Sequence, residues 1–138
     1  MDTRDDVAKF MIAADQLETG MHSNQANLYV DLINEEFSEL LHAYMARDIV
    51  EVADALADLK WVIEGLELTL QLPQQEIWDE VARSNLSKIS STGKIIKRED
   101  GKVLKPETYS PPNIQEVLQR CGYSVSSPIQ SLPGSSTP

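Results

Sequence analysis

The chain has 138 residues, 41% hydrophobic and 25% charged, which is typical of one globular domain with a small core. Its formal net charge of -10 argues against a nucleic-acid-binding surface, because phosphate backbones favour clustered Lys and Arg. No apolar run is long enough to span a membrane and the polar, acidic start is unlike a signal peptide, so we expect a cytoplasmic protein without a membrane partner. The lone Cys121 offers neither an intramolecular disulfide nor a thiolate zinc site.

Four helices are predicted in the first 90 residues. Thr3 and Asp6 resemble a capping box for the first helix, and Asp48 is a suitable N-cap for the third. Pro73 stands where a first-turn proline belongs in the fourth. Apolar residues recur at helical spacing in the segments 3–20, 24–47, 48–70 and 73–89.

The character of the chain changes after residue 90. Two short β-prone runs flank Glu99-Asp100-Gly101, which predicts a hairpin or extended flap, and a short helix is predicted over 113–120. The last residues are rich in Ser and Pro. Residues 1–92 carry a net charge of -12, whereas residues 93–109 carry +2. We therefore predict a helical core at 1–92, a basic flap at 93–112, and a short helix with a tail at 113–138.

Acidic residues are densest on the second and third helices. Carboxylates three and four residues apart share a helix face, and such stripes of like charge destabilise a helix unless something compensates. A tight turn at Asp48 places residue i roughly opposite residue 95−i, so the two stripes meet beside the buried seam. A divalent cation bound by oxygen is the usual compensation, whereas an exposed acidic surface is the plainer alternative. The candidate metal ligands are Glu35, Glu36, Glu39, Glu51, Asp54 and Asp58.

Other side chains are weaker candidates. His22 and His42 have no HxH or HxxxH spacing, so we expect no histidine ligand. A di-iron carboxylate helical protein is a rival class, but it needs Glu-x-x-His, and we expect neither histidine to follow a Glu at that spacing. Trp61 follows Asp58 by three residues and is a candidate for stacking on a base, although a tryptophan at a helical position more often packs in the core.

Several motifs together resemble one family. They are the ExxE of the second helix, the run DEVARSNLSK at 79–88, and REDGKVLK at 98–105 followed by YSPP at 109–112. In this combination the chain resembles the MazG-like all-α nucleoside triphosphate pyrophosphohydrolases, which include helical dUTPases and phosphoribosyl-ATP pyrophosphohydrolases. The resemblance covers about residues 28–115 and is greatest to bacterial and phage members. It implies a protein of the bacterial cytoplasm, or of the host cytoplasm if a phage encodes it.

The resemblance implies hydrolysis of a nucleoside triphosphate between the α- and β-phosphates, with two or three Mg²⁺ or Mn²⁺ ions on the helix carboxylates. Glu35, Glu36 and Glu39 match the first acidic motif, and Glu35 or Glu36 is the candidate base. The second motif departs from the pattern, because Ala55 stands three residues before Asp58. We therefore expect Asp54 and Asp58 to do most of the ligation, with Glu51 as an outer member.

The resemblance also implies a substrate site and an oligomer. Its candidate substrate-binding residues are Trp61, Asn85, Lys88, Lys97, Arg98, Lys102 and Lys105. We expect the base pocket beside Phe10, Met11 and Ala14, and the small Ala13 and Ala14 favour a purine, hence dGTP or GTP. A dUTP-preferring enzyme and a non-catalytic helical interaction module are the alternatives. The four helices would form a bundle completed by dimerisation, as a homodimer or a tetramer.

Overall fold

The structure is a computed structural model that describes residues 2–125. It contains α1 (Thr3–Ala13), α2 (Asn24–Met45), α3 (Ile49–Thr69), α4 (Gln74–Leu86) and α5 (Ile114–Arg120). The all-α prediction is confirmed. None of the helices in residues 2–125 combines the length and apolar character that crossing a bilayer requires. The chain divides into two compact units, one ending at Leu72 and the other starting at Pro73. Most of the predicted Ser/Pro-rich tail lies outside the described residues.

The N-terminus of α1 is capped by Asp2, so the prediction of Thr3 as the cap is wrong. The Asp2 carboxylate accepts hydrogen bonds from the backbone N–H groups of Arg4 at 3.0 Å and Asp5 at 3.3 Å. The Thr3 hydroxyl instead donates to Glu64 Oε1 at 3.0 Å. The Thr3 side chain, which the local sequence predicted as the cap, is therefore used in a tertiary contact.

Tertiary hydrogen bonds also explain why α1 ends before Gly20, contrary to prediction. The Tyr29 hydroxyl donates to Gln16 Oε1 at 2.6 Å, and the Glu18 backbone N–H donates to Gln25 Oε1 at 3.0 Å. These bonds fasten residues 16–18 to α2 as a loop. A continued helix would place the same groups along the α1 axis, away from their partners on α2.

The helices α2 and α3 form an antiparallel hairpin whose turn contains Asp48, the predicted N-cap. Gln25 Nε2 donates to Thr69 Oγ1 at 2.9 Å, and Tyr29 lies against Gly65. The numbers in each pair sum to 94, so the register differs by one residue from the predicted pairing.

The core of the first unit lies where α1 packs on this hairpin. Its most buried members are apolar side chains and one tyrosine at helical spacing, surrounded by half-buried leucines and an isoleucine. The buried residues are Val7, Met11, Tyr29 and Val62, and the surrounding ones are Leu32, Ile33, Leu59, Leu66 and Leu68.

In the second unit α4 packs against α5. Glu80 accepts a hydrogen bond from Arg83 at 2.8 Å and another from the backbone N–H of Asn113 at 2.8 Å. Arg83 also donates to the Pro111 carbonyl at 3.0 Å. The bond from Arg83, followed by that from Asn113, lowers the pKa of Glu80 to about 2. This network ties the start of α5 to α4.

The segment between α4 and α5 is extended, with two isolated antiparallel bridges. Ile89 pairs with Ile95, and Lys97 pairs with Val103. The predicted fourth helix therefore stops at Leu86, because Ile89 is used in a bridge. Regular strands are absent from residues 87–113, and the bridge between Lys97 and Val103 flanks the Glu99-Asp100-Gly101 turn of the predicted hairpin or extended flap.

Candidate metal centre

Three carboxylates converge on the seam of the α2–α3 hairpin. Glu36 and Glu39 lie one turn apart on α2, and Asp58 lies on α3. One carboxylate oxygen from each falls within 4.8 Å of the others. The register explains the meeting, because positions 36 and 58 are paired in the same way as Tyr29 and Gly65.

Burial and the charges of neighbouring acids make Glu36 and Asp58 hold protons more tightly than usual. Burial is the largest cause that raises the pKa of Glu36 to about 6, followed by the charges of Glu39 and Asp58. The pKa of Asp58 is also raised, first by burial and then by the charge of Asp54. Glu36 Oε2 is buried without a hydrogen-bond partner among residues 2–125. None of the three ion pairs described in this part of the chain involves the cluster.

The cluster fits a hard divalent cation. All its donor atoms are carboxylate oxygens, which Mg²⁺ and Mn²⁺ prefer. The orphaned Glu36 Oε2 supplies a buried lone pair that a cation would satisfy. Because a cation favours the ionised form of each carboxylate, it would reverse the raised pKa values of Glu36 and Asp58.

A cavity of about 410 Å³ opens beside the cluster, toward the turn of the hairpin. Glu39 belongs to both, and Glu51 and Asp54 also line the cavity. Asp48 lines it too, but its carboxylate already accepts backbone N–H groups at the start of α3. The remaining lining residues are His42, Ala43, Ala46 and Ala55. A space with carboxylates on both helices suits the charged part of a ligand that arrives with cations.

A comparison with family models adds an independent finding. The model described as phosphoribosyl-ATP pyrophosphohydrolase matches residues 8–85, more than half of the chain. The chain belongs to this family. The family lies within the MazG-like all-α nucleoside triphosphate pyrophosphohydrolases, so the predicted resemblance is confirmed. Membership supports a nucleotide pyrophosphohydrolase activity in general. No curated protein matches the chain.

The matched region of this phosphoribosyl-ATP pyrophosphohydrolase family member contains all six predicted metal ligands. Three of them form the cluster, and Glu51 and Asp54 line the adjoining cavity. Glu35 is exposed, and its charge contributes to the raised pKa of Glu36. The structure therefore divides the six acids into an inner group, a cavity wall and one peripheral carboxylate.

His42 is a residue that the sequence analysis set aside and that the structure brings to the cavity. It follows Glu39 by three residues and so shares a helix face with it. The expectation that neither histidine follows a Glu at Glu-x-x-His spacing is therefore wrong, because Glu39-Leu40-Leu41-His42 has that spacing. His42 lies outside the group of three converging carboxylates.

Trp61 lies in the first unit but does not line the cavity beside the metal cluster. Its ring contacts the ring of Phe10 edge-on, with centroids 5.6 Å apart. Trp61 is 37% exposed and lines a cavity between α1 and α3. That cavity is lined on α1 by Thr3, Asp6 and Val7, whereas we expected Phe10, Met11 and Ala14. Met11 belongs to the core cluster and lines a different cavity, together with Gln16 and Gln25.

The other predicted substrate-binding residues all belong to the second unit. Lys88 Nζ donates to Asn85 Oδ1 at 3.1 Å, and Lys105 lies over the Tyr109 ring, 5.1 Å from its centroid. Arg98 pairs with Asp100. The side chains of Lys97 and Lys102 make no ion pair within residues 2–125. The family match ends at residue 85, so the basic segment 93–109 lies beyond it.

Proposed function

We propose that the protein is a metal-dependent nucleoside triphosphate pyrophosphohydrolase. It converts a triphosphate and water to the monophosphate and pyrophosphate by cleaving between the α- and β-phosphates. The observation that carries the proposal is the convergence of Glu36, Glu39 and Asp58 within 4.8 Å in a member of this family.

The proposed ligands of the cations are the acids of the α2–α3 hairpin. Glu36, Glu39 and Asp58 hold the first cation, while Asp54 and Glu51 extend the donor set into the cavity. This set has enough oxygens for two or three Mg²⁺ or Mn²⁺ ions. Such ions supply positive charge to triphosphate oxygens and lower the pKa of bound water.

The proposed proton acceptors are Glu35 and Glu36. Glu35 lies outside the converging group and is exposed, which leaves its carboxylate available to accept a proton from the attacking water. Glu36 is next to it in sequence and takes the same part if its buried Oε2 is not used as a ligand.

The proposed substrates are dGTP and GTP, with dUTP as the alternative. Asn85, Lys88, Lys97, Arg98, Lys102 and Lys105 are the proposed polar contacts to sugar and phosphate. The charges and hydrogen-bonding groups of these side chains complement phosphate and hydroxyl oxygens. Trp61 is proposed to stack on the base, and its exposure supports that role over a place in the core.

We also propose a homodimer, or a tetramer built from two dimers. Large apolar side chains remain exposed along one stripe of α2, at Val30, Phe37, Leu41 and Tyr44. Their helical spacing places them on one face of α2, and a second copy of the chain would cover that face.

The experiment is a panel of canonical NTPs and dNTPs assayed with Mn²⁺ and with Mg²⁺. We expect monophosphate plus pyrophosphate, no turnover in EDTA, and dGTP as the best substrate. Release of diphosphate plus phosphate would contradict the cleavage site. A non-catalytic interaction module would turn over none of the nucleotides.

Two variants test the centre itself. Glu39→Ala and Asp58→Ala each remove a proposed ligand, so turnover should fall by orders of magnitude while far-UV circular dichroism stays unchanged. Asp31→Ala is the matched control, because Asp31 is an exposed acid of α2 outside the cluster. Undiminished activity in both ligand variants would rule out the centre.

A further inference from the structure

A second cavity, of about 480 Å³, lies between α1 and α3 in the first unit. Its volume is within the range of roughly 300–1,000 Å³ that is usual for small-molecule sites. Most of its wall is apolar, which suits a flat ring system. The lining residues are Thr3, Asp6, Val7, Ala53, Leu56, Ala57, Lys60 and Trp61.

The polar groups of this cavity are two acceptors and one donor. Asp6 brings a carboxylate and Lys60 an ammonium group, and neither side chain makes a hydrogen bond or ion pair within residues 2–125. The Thr3 hydroxyl donates its hydrogen bond to Glu64, which is only 4% exposed. The Thr3 oxygen therefore offers lone pairs, so it acts as an acceptor.

The guanine base matches this set of groups. Its edge presents two neighbouring donors, N1–H and the N2 amino group, beside one acceptor, O6. A carboxylate accepts both donors, and an ammonium group donates to O6. Adenine has an acceptor at N1, and uracil places a carbonyl on each side of its single N–H, so either base would set an acceptor against the Asp6 carboxylate.

The cavity also lies beside the proposed metal centre along α3. Ala53 and Ala57 line the cavity, and each directly precedes an acid of the centre, Asp54 and Asp58. Neighbouring residues on a helix are rotated by about 100° from one another, so the cavity wall and the acidic stripe are adjacent faces. A nucleotide with its base in the cavity would span these faces with its sugar and carry its α-phosphate toward the acids.

We infer that the α1–α3 cavity binds the base of the substrate and that Asp6 selects guanine, with Lys60 donating to O6. The inference rests on the proposed function, to which it adds the residue that sets base preference. The Trp61 ring, held edge-on by Phe10, forms the flat wall on which the base lies.

The experiment compares kcat/KM for dGTP, dITP and dATP in the wild type, Asp6→Asn and Asp5→Asn. The base of dITP lacks the N2 amino group, so the wild type should prefer dGTP to dITP. Asp6→Asn should lower kcat/KM for dGTP by roughly tenfold or more. The same variant should bring the dGTP to dITP ratio near unity and leave dATP unchanged or improved, because an amide can donate to adenine N1.

Asp5→Asn is the matched control. Asp5 and Asp6 both lie in the first turn of α1, so each substitution removes the same charge near the same helix end. Only Asp6 lines the cavity. We expect the Asp5→Asn variant to keep the wild-type preference.

Two results would overturn the inference. One is an unchanged ratio of kcat/KM for dGTP to that for dATP in Asp6→Asn. The other is an Asp6→Asn variant that keeps this ratio but changes its oligomeric state in sedimentation, which would make the cavity an interface between copies. If the wild type hydrolyses no nucleotide, the proposed function fails. The inference is then tested by calorimetry of dGMP and dAMP binding to the wild type and to Asp6→Asn. It holds only if the wild type binds dGMP more tightly than dAMP and the Asp6→Asn variant loses this difference.

Discussion

Gly65 on α3 lies directly against the ring of Tyr29 on α2. A Cβ atom on Gly65 would overlap the Tyr29 ring at Cε1, Cδ1 and Cζ. Tyr29 is only 1% exposed, and its hydroxyl is bonded to Gln16, so the ring has little freedom to move aside. This close approach fixes the register of the hairpin and, with it, the pairing of Glu36 with Asp58.

Gly65→Ala should therefore destabilise the protein, although alanine is the better helix former. Helix propensity alone predicts a gain of about 1 kcal/mol, whereas overpacking costs about 1–3 kcal/mol and here also strains the Tyr29–Gln16 bond. Denaturant unfolding measures the net effect, and we expect a loss. A variant as stable as the wild type would show that the Tyr29 ring shifts at little cost.

The stability of the metal-free protein should depend on pH through Glu36. The folded pKa of about 6 exceeds the ordinary value of 4.5, so the folded state binds this proton more tightly than the unfolded state does. The contribution of this tighter proton binding to the free energy of unfolding is fully present below about pH 4.5 and is lost as the pH rises through about 6. In EDTA, Glu36→Gln should raise Tm at pH 7.5 and have a smaller effect at pH 5.

Cation addition gives the complementary measurement. Mn²⁺ should raise the Tm of the wild type more at pH 7.5 than at pH 5, because protons compete with the cation for Glu36 and Asp58. The Glu36→Gln variant should show a smaller increase. An equal Mn²⁺ effect at both pH values would argue against binding at these carboxylates.

Asp54→Ala should harm turnover far more than Glu51→Ala. Both residues line the cavity, but the charge of Asp54 also raises the pKa of Asp58. We expect a fall in kcat of roughly 100-fold or more for Asp54→Ala and of about tenfold for Glu51→Ala. The opposite order in Mn²⁺ assays would make Glu51 the inner ligand.

The basic flap is expected to act on substrate phosphate. Changing Lys102 and Lys105 together to Gln should raise KM for a triphosphate more than the inhibition constant of the monophosphate product, because a triphosphate offers more negative oxygens. Added salt should have the same effect on the wild type. Lys9→Gln, on an exposed site of α1, is the control for loss of positive charge. An unchanged ratio of the two constants in the double variant would leave the flap without a part in the reaction.

The residues of α2 and α3 show how much of the fold and site the sequence could predict. Helical spacing and the Asp48 cap placed both helices, and the short turn gave their register to within one residue. Glu36, Glu39 and Asp58 were identified as candidates because like charges on one helix face require compensation. The three- and four-residue spacings behind these predictions are local, and local interactions can be read directly from sequence.

The tertiary structure decided what depends on distant partners. Thr3 donates to Glu64, 61 residues away, so Asp2 became the cap. The hydrogen bonds that Gln16 accepts from Tyr29 and that Glu18 donates to Gln25 ended α1 early. The sequence likewise offered six acids and placed Asp54 beside Asp58 as a main ligand, and only packing separated Glu36, Glu39 and Asp58 from the rest. A shift of one residue in register rotates a helix face by about 100°, which is enough to choose which carboxylates meet and which face solvent.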